Sequence, residues 1–151
     1  FWGDHGWHLG EKQHWRKQAL WEDTTHVPFI VSYPGKIPNN QICDKPVSLI
    51  DIFPTLIDLT GIPKKEGLDG QSLMPLLKNP KIDWNRPVLS TYGKGNHAVR
   101  SGKWRYIQYR DGTSELYDHQ KDPHEWYNLS DKEDFQEVVK RLKKVIPVKE
   151  K

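Results

Sequence analysis

"WRYIQYRDGTSELYD", residues 104–118, decides how this chain folds. Two runs rich in aromatic and β-forming residues flank Asp111-Gly112. That dipeptide is a strong hairpin signal, because both residues accept the positive φ that a tight turn between twisted strands demands. Working outward, "VLSTY" (88–92) and "HAVR" (97–100) share the β-rich composition, so residues 88–118 predict an antiparallel sheet. Beyond it, Ser130 or Asp131 is placed to cap a helix carrying Phe135, Val138, Val139, Leu142 and Ile146 at i, i+3, i+4, i+7 and i+11, ended by Pro147. That apolar stripe should lie against the sheet.

Upstream the pattern differs. "VPFIVSY" (27–33), closed by Pro34-Gly35, reads as a short buried strand. Asp51 is expected to cap a core-facing helix over residues 51–60, with Pro54 tolerated in its first turn and Gly61 and Pro63 stopping it. A shorter helix is expected from Ser72, with Leu73, Met74, Leu76 and Leu77 as its apolar residues. Strand, helices, hairpins and terminal helix give an α/β start running into an α+β end. The expected division is 1–80 as part of an α/β domain and 81–151 as an antiparallel-sheet subdomain with its terminal helix.

With 151 residues the chain is about one domain in size. Only 35% of it is hydrophobic, yet it holds seven Trp, six Tyr and four Phe, so large aromatics are expected to supply much of the core. The 23 basic and 20 acidic residues give a net charge of +3 without a basic stripe, which argues against a nucleic-acid partner. The lysine-rich end, Lys140 to Lys151, reads as a solvated helix face and frayed terminus. One cysteine, Cys43, permits no internal disulfide, and no apolar run is long enough to span a membrane. Asn128-Leu129-Ser130 fits an N-glycosylation acceptor.

The chemistry concentrates in "FWGDHGWHLGEKQHWRK" (1–17). Asp4 and His5 are adjacent, and adjacent side chains on a regular strand face opposite ways. To share one site they must sit at a strand's end, with Gly3 and Gly6 supplying backbone freedom on both flanks. Such a pair suits a metal ion, a carboxylate serving a hard cation with an imidazole beside it; the bland alternative is a solvent-exposed turn. The spacing His5-x2-His8-x5-His14 raises zinc as a rival, against which stand the absence of H-E-x-x-H and the isolation of Cys43. Lys12, Arg16 and Lys17 add cations that would serve an enzyme acting on an anionic ester, where charge builds on the departing group.

Together these residues resemble the sulfatase family of the alkaline-phosphatase-like superfamily. "GDHGWHLGEKQHWRKQALWEDTTHVPFIVSYPG" is similar to its run of Asp-His-Gly, Leu-Gly-Glu, Trp-x-Lys and Val-Pro-apolar-Ile ending in Pro-Gly. "VSLIDIFPTLIDLTGIP", "LDGQSLMPLL" and "RYIQYRDGTSELYDHQKDPHEWYNL" continue the likeness in order. The His after Asp4 is closest to the iduronate-2-sulfatase-like branch. The resemblance implies the C-terminal part of an alkaline-phosphatase-like fold that hydrolyses sulfate esters, with a sulfated carbohydrate or glycosaminoglycan as substrate. It implies Asp4 and His5 as calcium ligands and Lys17 as the group that contacts and neutralises the sulfate. Trp7, His8, Lys12, His14, His97 and Arg100 are then candidates to line the substrate pocket.

The family's nucleophile is a formylglycine made from a Cys-x-Pro-x-Arg motif. Cys43, in "ICDKPV", lacks that pattern. The resemblance therefore places the nucleophile and the remaining metal ligands in an N-terminal half, and implies that these 151 residues alone do not turn over and bind calcium weakly at best. By the same likeness the whole enzyme is periplasmic, secreted or lysosomal. Two alternatives stay open: a phosphodiesterase or phosphonate hydrolase of the same superfamily, and a carbohydrate-binding module using Trp104 and Trp126.

Overall fold

The structure, a computed structural model, describes residues 1–148. In chain order its elements are β1 (His8–Leu9), β2 (Trp15–Arg16), α1 (Glu22–Thr25), α2 (Ile52–Thr60), α3 (Met74–Lys78), β3 (Val88–Thr91), β4 (His97–Ser101), β5 (Trp104–Gln108), β6 (Ser114–Asp118) and α4 (Gln136–Lys143). They fall into two compact units, one of Phe1–Phe29 with the chain from Pro87 onward, the other Ile30–Arg86. The opening segment thus groups with the sheet.

In the first unit β3-β4-β5-β6 form an antiparallel sheet of four strands in sequence order. The register aligns Val99 with Tyr106 and Tyr106 with Leu116, so these three share one face. Leu142 and Ile146 pack on that face, with Phe135, Val138 and Val139 around them, as the spacing of the stripe required. On the opposite face Ala98, Ile107 and Tyr117 are covered by Leu20. A sheet buried on both faces explains why the central strands read as continuous apolar and aromatic runs. Asn128 docks the following loop on the edge strand: its Oδ1 accepts from Leu116 N at 3.0 Å and its Nδ2 donates to Ser114 O at 3.0 Å. The amide nitrogen of the predicted glycosylation triplet is thus engaged by the fold.

Two expectations for this unit are corrected. Neither Ser130 nor Asp131 caps the last helix; a 3-10 turn at Glu133–Phe135 leads into α4 from Lys132 without a side-chain cap. Ser130 is buried instead, its hydroxyl donating to Ser114 O. The core is also less aromatic than composition suggests: four of the seven tryptophans, Trp2, Trp7, Trp15 and Trp126, are exposed. Branched aliphatics and two tyrosines fill the sheet faces, while Trp104 packs edge-on to Phe135 at the core's border.

The second unit is organised by Asp51, which is fully buried. Its carboxylate accepts from Ser48 N at 3.0 Å and Gln71 N at 2.9 Å and pairs with Arg86 at 2.6 Å. Asp51 is therefore the acidic member of a capping box begun by Ser48, not the cap itself. Thr55 relays the contact: its hydroxyl donates to Asp51 O and accepts from Leu73 N. These bonds give a physical reason for Asp and Thr at residues 51 and 55. The helix expected at Ser72 begins at Met74 and buries Leu76. "VPFIVSY" is not a buried strand: its one pairing is the isolated bridge Trp2↔Phe29, and Ile30 is 60% exposed. A strand needs a ladder of partners on its edges, and among the described residues this run forms an isolated bridge in place of a ladder. No described helix is long and apolar enough to cross a membrane.

Candidate functional site

The opening segment is stapled to residues 23–28 by backbone bonds. Gly3 N donates to Pro28 O at 3.0 Å, Gly6 N to Thr24 O at 2.7 Å and Trp7 N to Asp23 O at 2.9 Å. Asp4 and His5 sit between these anchors. Gly3 and Gly6 were expected to supply φ freedom, but neither has a positive φ. Gly6 serves close approach: a Cβ there would lie 1.9 Å from Asp23 O.

Asp4, His5 and Lys17 come together. His5 Nδ1 lies 2.9 Å from Gly6 O, and a carbonyl can only accept, so Nδ1 carries the proton. Nε2 then presents its lone pair, which takes a hydrogen bond from Lys17 Nζ at 3.0 Å and lies 3.5 Å from Asp4 Oδ2. Two ligands about 2.4 Å from one calcium ion at a right angle stand about 3.4 Å apart. The Asp4–His5 spacing fits one edge of such a shell. Calcium takes about six to eight donors, so the pair supplies part of it. Trp7 flanks the site, half exposed, with its ring 6.2 Å from that of His5.

The other expected contacts lie elsewhere. Lys12 turns inward, over the Trp21 and Tyr117 rings at 5.0 and 4.8 Å, and donates to Tyr117 Oη and Glu125 O. His8 is fully buried and stacks edge-on with His14 and Trp21. His97 is buried on β4, its Nδ1 2.9 Å from Thr91 Oγ1. Arg100 reaches Glu22, Gly102 O and His119.

Arg100 leads to a cluster that sequence reasoning did not assemble. Arg105, 3% exposed, pairs through Nη2 with Glu22 and through Nε with Glu125 at 2.6 Å, while Nη1 donates to Leu20 O. Glu125, 1% exposed, also accepts from Glu22 N at 2.9 Å and from His119 Nε2 at 2.8 Å. With Nε2 donating, His119 Nδ1 accepts from Arg100 at 3.2 Å. Two carboxylates thus face two guanidiniums and an imidazole. Burial raises the Glu22 pKa, but the Arg105 and Arg100 charges outweigh it and hold the carboxyl below its ordinary value. The cluster clamps α1 and the Asp122-Pro-His-Glu125 loop to β4, β5 and β6. Although Glu22, His119 and Glu125 could hold an ion by distance alone, the guanidiniums already occupy that role.

Comparison with known proteins agrees with this architecture. The C-terminal model of the N-sulphoglucosamine sulphohydrolase family matches residues 10–151. A sulfatase of Formosa agariphila is 38% identical over 97% of this chain and 29% of its own, and arylsulfatase K of Gallus gallus is 36% identical over 97% and 30%. A solved structure of a 2-O GAG sulfatase superposes with a TM-score of 0.81 at 26% identity, over 95% of this chain and 34% of that one. The chain spans about three tenths of the length of these curated relatives.

Proposed function

The chain belongs to the sulfatase family, matching its C-terminal part, and on that premise we propose that it serves a sulfuric-ester hydrolase in which Asp4, His5 and Lys17 hold one side of the active site. The observation that carries this is the convergence of the three side chains, with Lys17 Nζ 3.0 Å and Asp4 Oδ2 3.5 Å from His5 Nε2. A calcium ion held by Asp4 and His5, completed by the N-terminal half, would polarise the sulfate oxygens, and a formylglycine there would supply the nucleophile.

This chain's own residues then have separable tasks. The Gly6 carbonyl fixes the His5 tautomer, so the Nε2 lone pair, which Lys17 Nζ engages, would pass to the cation as Lys17 turns to the sulfate. The Lys17 ammonium, on an exposed side chain beside that nitrogen, neutralises charge on the sulfate and favours the more charged transition state. Trp7 offers an exposed ring edge to the carbohydrate. Residues 1–80 would belong to the catalytic α/β domain and 81–151 to the sheet subdomain. The substrate class we propose is a 2-O-sulfated glycosaminoglycan sugar, which the iduronate-2-sulfatase-like His5 and the likeness to a 2-O GAG sulfatase support.

The test compares release of inorganic sulfate from 2-O- and 6-O-sulfated disaccharides with hydrolysis of phenyl phosphonate and phosphate diesters by the natural full-length protein. Preference for the 2-O-sulfate is expected. Faster turnover of the phosphorus esters would replace this reading with the phosphoryl-transfer alternative.

A further inference from the structure

Outside the Asp4–His5 pair, one group of side chains has the composition and geometry of a second ion site, and from it we propose that His8, Glu11 and Asp23 bind a divalent transition-metal ion of the zinc class. One ligand atom from each lies within 4.8 Å of the others. His8 Nδ1 stands 3.8 Å from Asp23 Oδ2, and two ligands on a tetrahedral zinc are about 3.3 Å apart, so a small side-chain adjustment closes the site. An imidazole nitrogen with two carboxylate oxygens is a donor set that suits zinc and leaves a fourth position for solvent.

The independent observation is His8 itself. Its side chain is fully buried, yet among the described residues neither ring nitrogen has a hydrogen-bond partner. Buried polar atoms are rarely left so, and an orphaned imidazole aimed at two carboxylates calls for a ligand. Burial pushes the His8 pKa down and outweighs the pull of Asp23, so the ring is neutral with a lone pair to donate.

The three ligands come from pinned backbone. Asp23 O and Thr24 O accept from Trp7 N and Gly6 N, which fixes the separation of residue 23 from the start of β1. His8 pairs with Arg16 across the β1–β2 hairpin, and Gly10, at φ 127°, makes its turn. The Glu11 carboxylate is oriented by Leu9 N, which donates to Oε2 at 2.6 Å. Glu11 and Asp23 are exposed, so an ion has a path to the buried nitrogen.

Zinc chloride is titrated calorimetrically into the natural full-length protein in millimolar calcium, which keeps Asp4 and His5 occupied. A single saturable equivalent of micromolar or tighter affinity is expected. Glu11→Gln and Asp23→Asn, both at exposed positions, should each weaken it by roughly tenfold or more. Cobalt(II) should give visible d–d absorption that saturates at roughly tenfold or more higher cobalt in Asp23→Asn. Absence of saturable zinc binding, affinity unchanged in both variants, or loss of the site in Asp4→Asn would overturn the proposal.

Discussion

Replacing Glu125 with Gln is the sharpest test of how the sheet unit is held. The side chain is 1% exposed and its carboxylate serves Arg105 Nε at 2.6 Å, His119 Nε2 at 2.8 Å and Glu22 N at 2.9 Å. Glutamine keeps the volume but removes the charge, and its amide group turns N–H toward at least one of these donors. Arg105, 3% exposed, would then share Glu22 with Arg100, two guanidiniums against one carboxylate. Breaking a buried pair from one side costs about 3–5 kcal/mol. At about 2–4 °C per kcal/mol for a chain of 151 residues, the midpoint should fall by roughly 6–20 °C in a calorimetric melt. The double variant Arg105→Met with Glu125→Leu should recover part of that loss, because an apolar pair leaves no orphaned charge. A Glu125→Gln midpoint within about 2 °C of the parent would refute the reasoning, since each buried hydrogen bond alone is worth about 1 kcal/mol.

Three further outcomes follow from the same geometry. Glu22 holds its proton less tightly in the folded chain than at the ordinary value of 4.5. Its contribution is therefore complete above that value and lost as pH falls through the lower folded one; melts recorded from pH 7 downward should show stability declining below about pH 4.5, less steeply in Glu22→Gln. Asp51→Asn removes the charge facing Arg86 at 2.6 Å and should destabilise the second unit by about 3 kcal/mol, read as faster limited proteolysis within residues 30–86. Gly6→Ala places a methyl against Asp23 O in a segment fixed by two backbone bonds, and should cost about 1–3 kcal/mol in thermal unfolding.

The sheet was legible because its information is local. Each hairpin is closed by residues a few positions apart, so "VLST", "HAVRS", "WRYIQ" and "SELYD" announce themselves by composition and by Asp111-Gly112. The helix stripe ending at Ile146 was legible for the same reason. The strand expected at 27–33 was not, because an apolar run becomes a strand only where neighbours accept its hydrogen bonds. Caps were misplaced at both helices: Ser48 begins the box in which Asp51 is the acidic member, also paired with Arg86, and the Ser130 hydroxyl serves Ser114 instead. The motif named Asp4, His5 and Lys17 together, and the fold brings the Asp4 and Lys17 side chains to within 3.5 Å of His5 Nε2. That His8 and Lys12 turn inward, and that Glu22, Arg100, Arg105, His119 and Glu125 form one network, depends on tertiary packing. The Glu-Asp of residues 22–23 and the Asp-Pro-x-Glu of 122–125 were the signals that could have been paired.

Lys17 is proposed to face a sulfate beside Asp4 and His5. Its most direct test is sulfate release from a 2-O-sulfated disaccharide by the natural full-length protein and by Lys17→Met. Removing one charged donor to the transition state should lower kcat/KM by roughly 10²–10³-fold without shifting the melting midpoint, as the side chain is exposed. Turnover by Lys17→Met equal to that of the parent would contradict it.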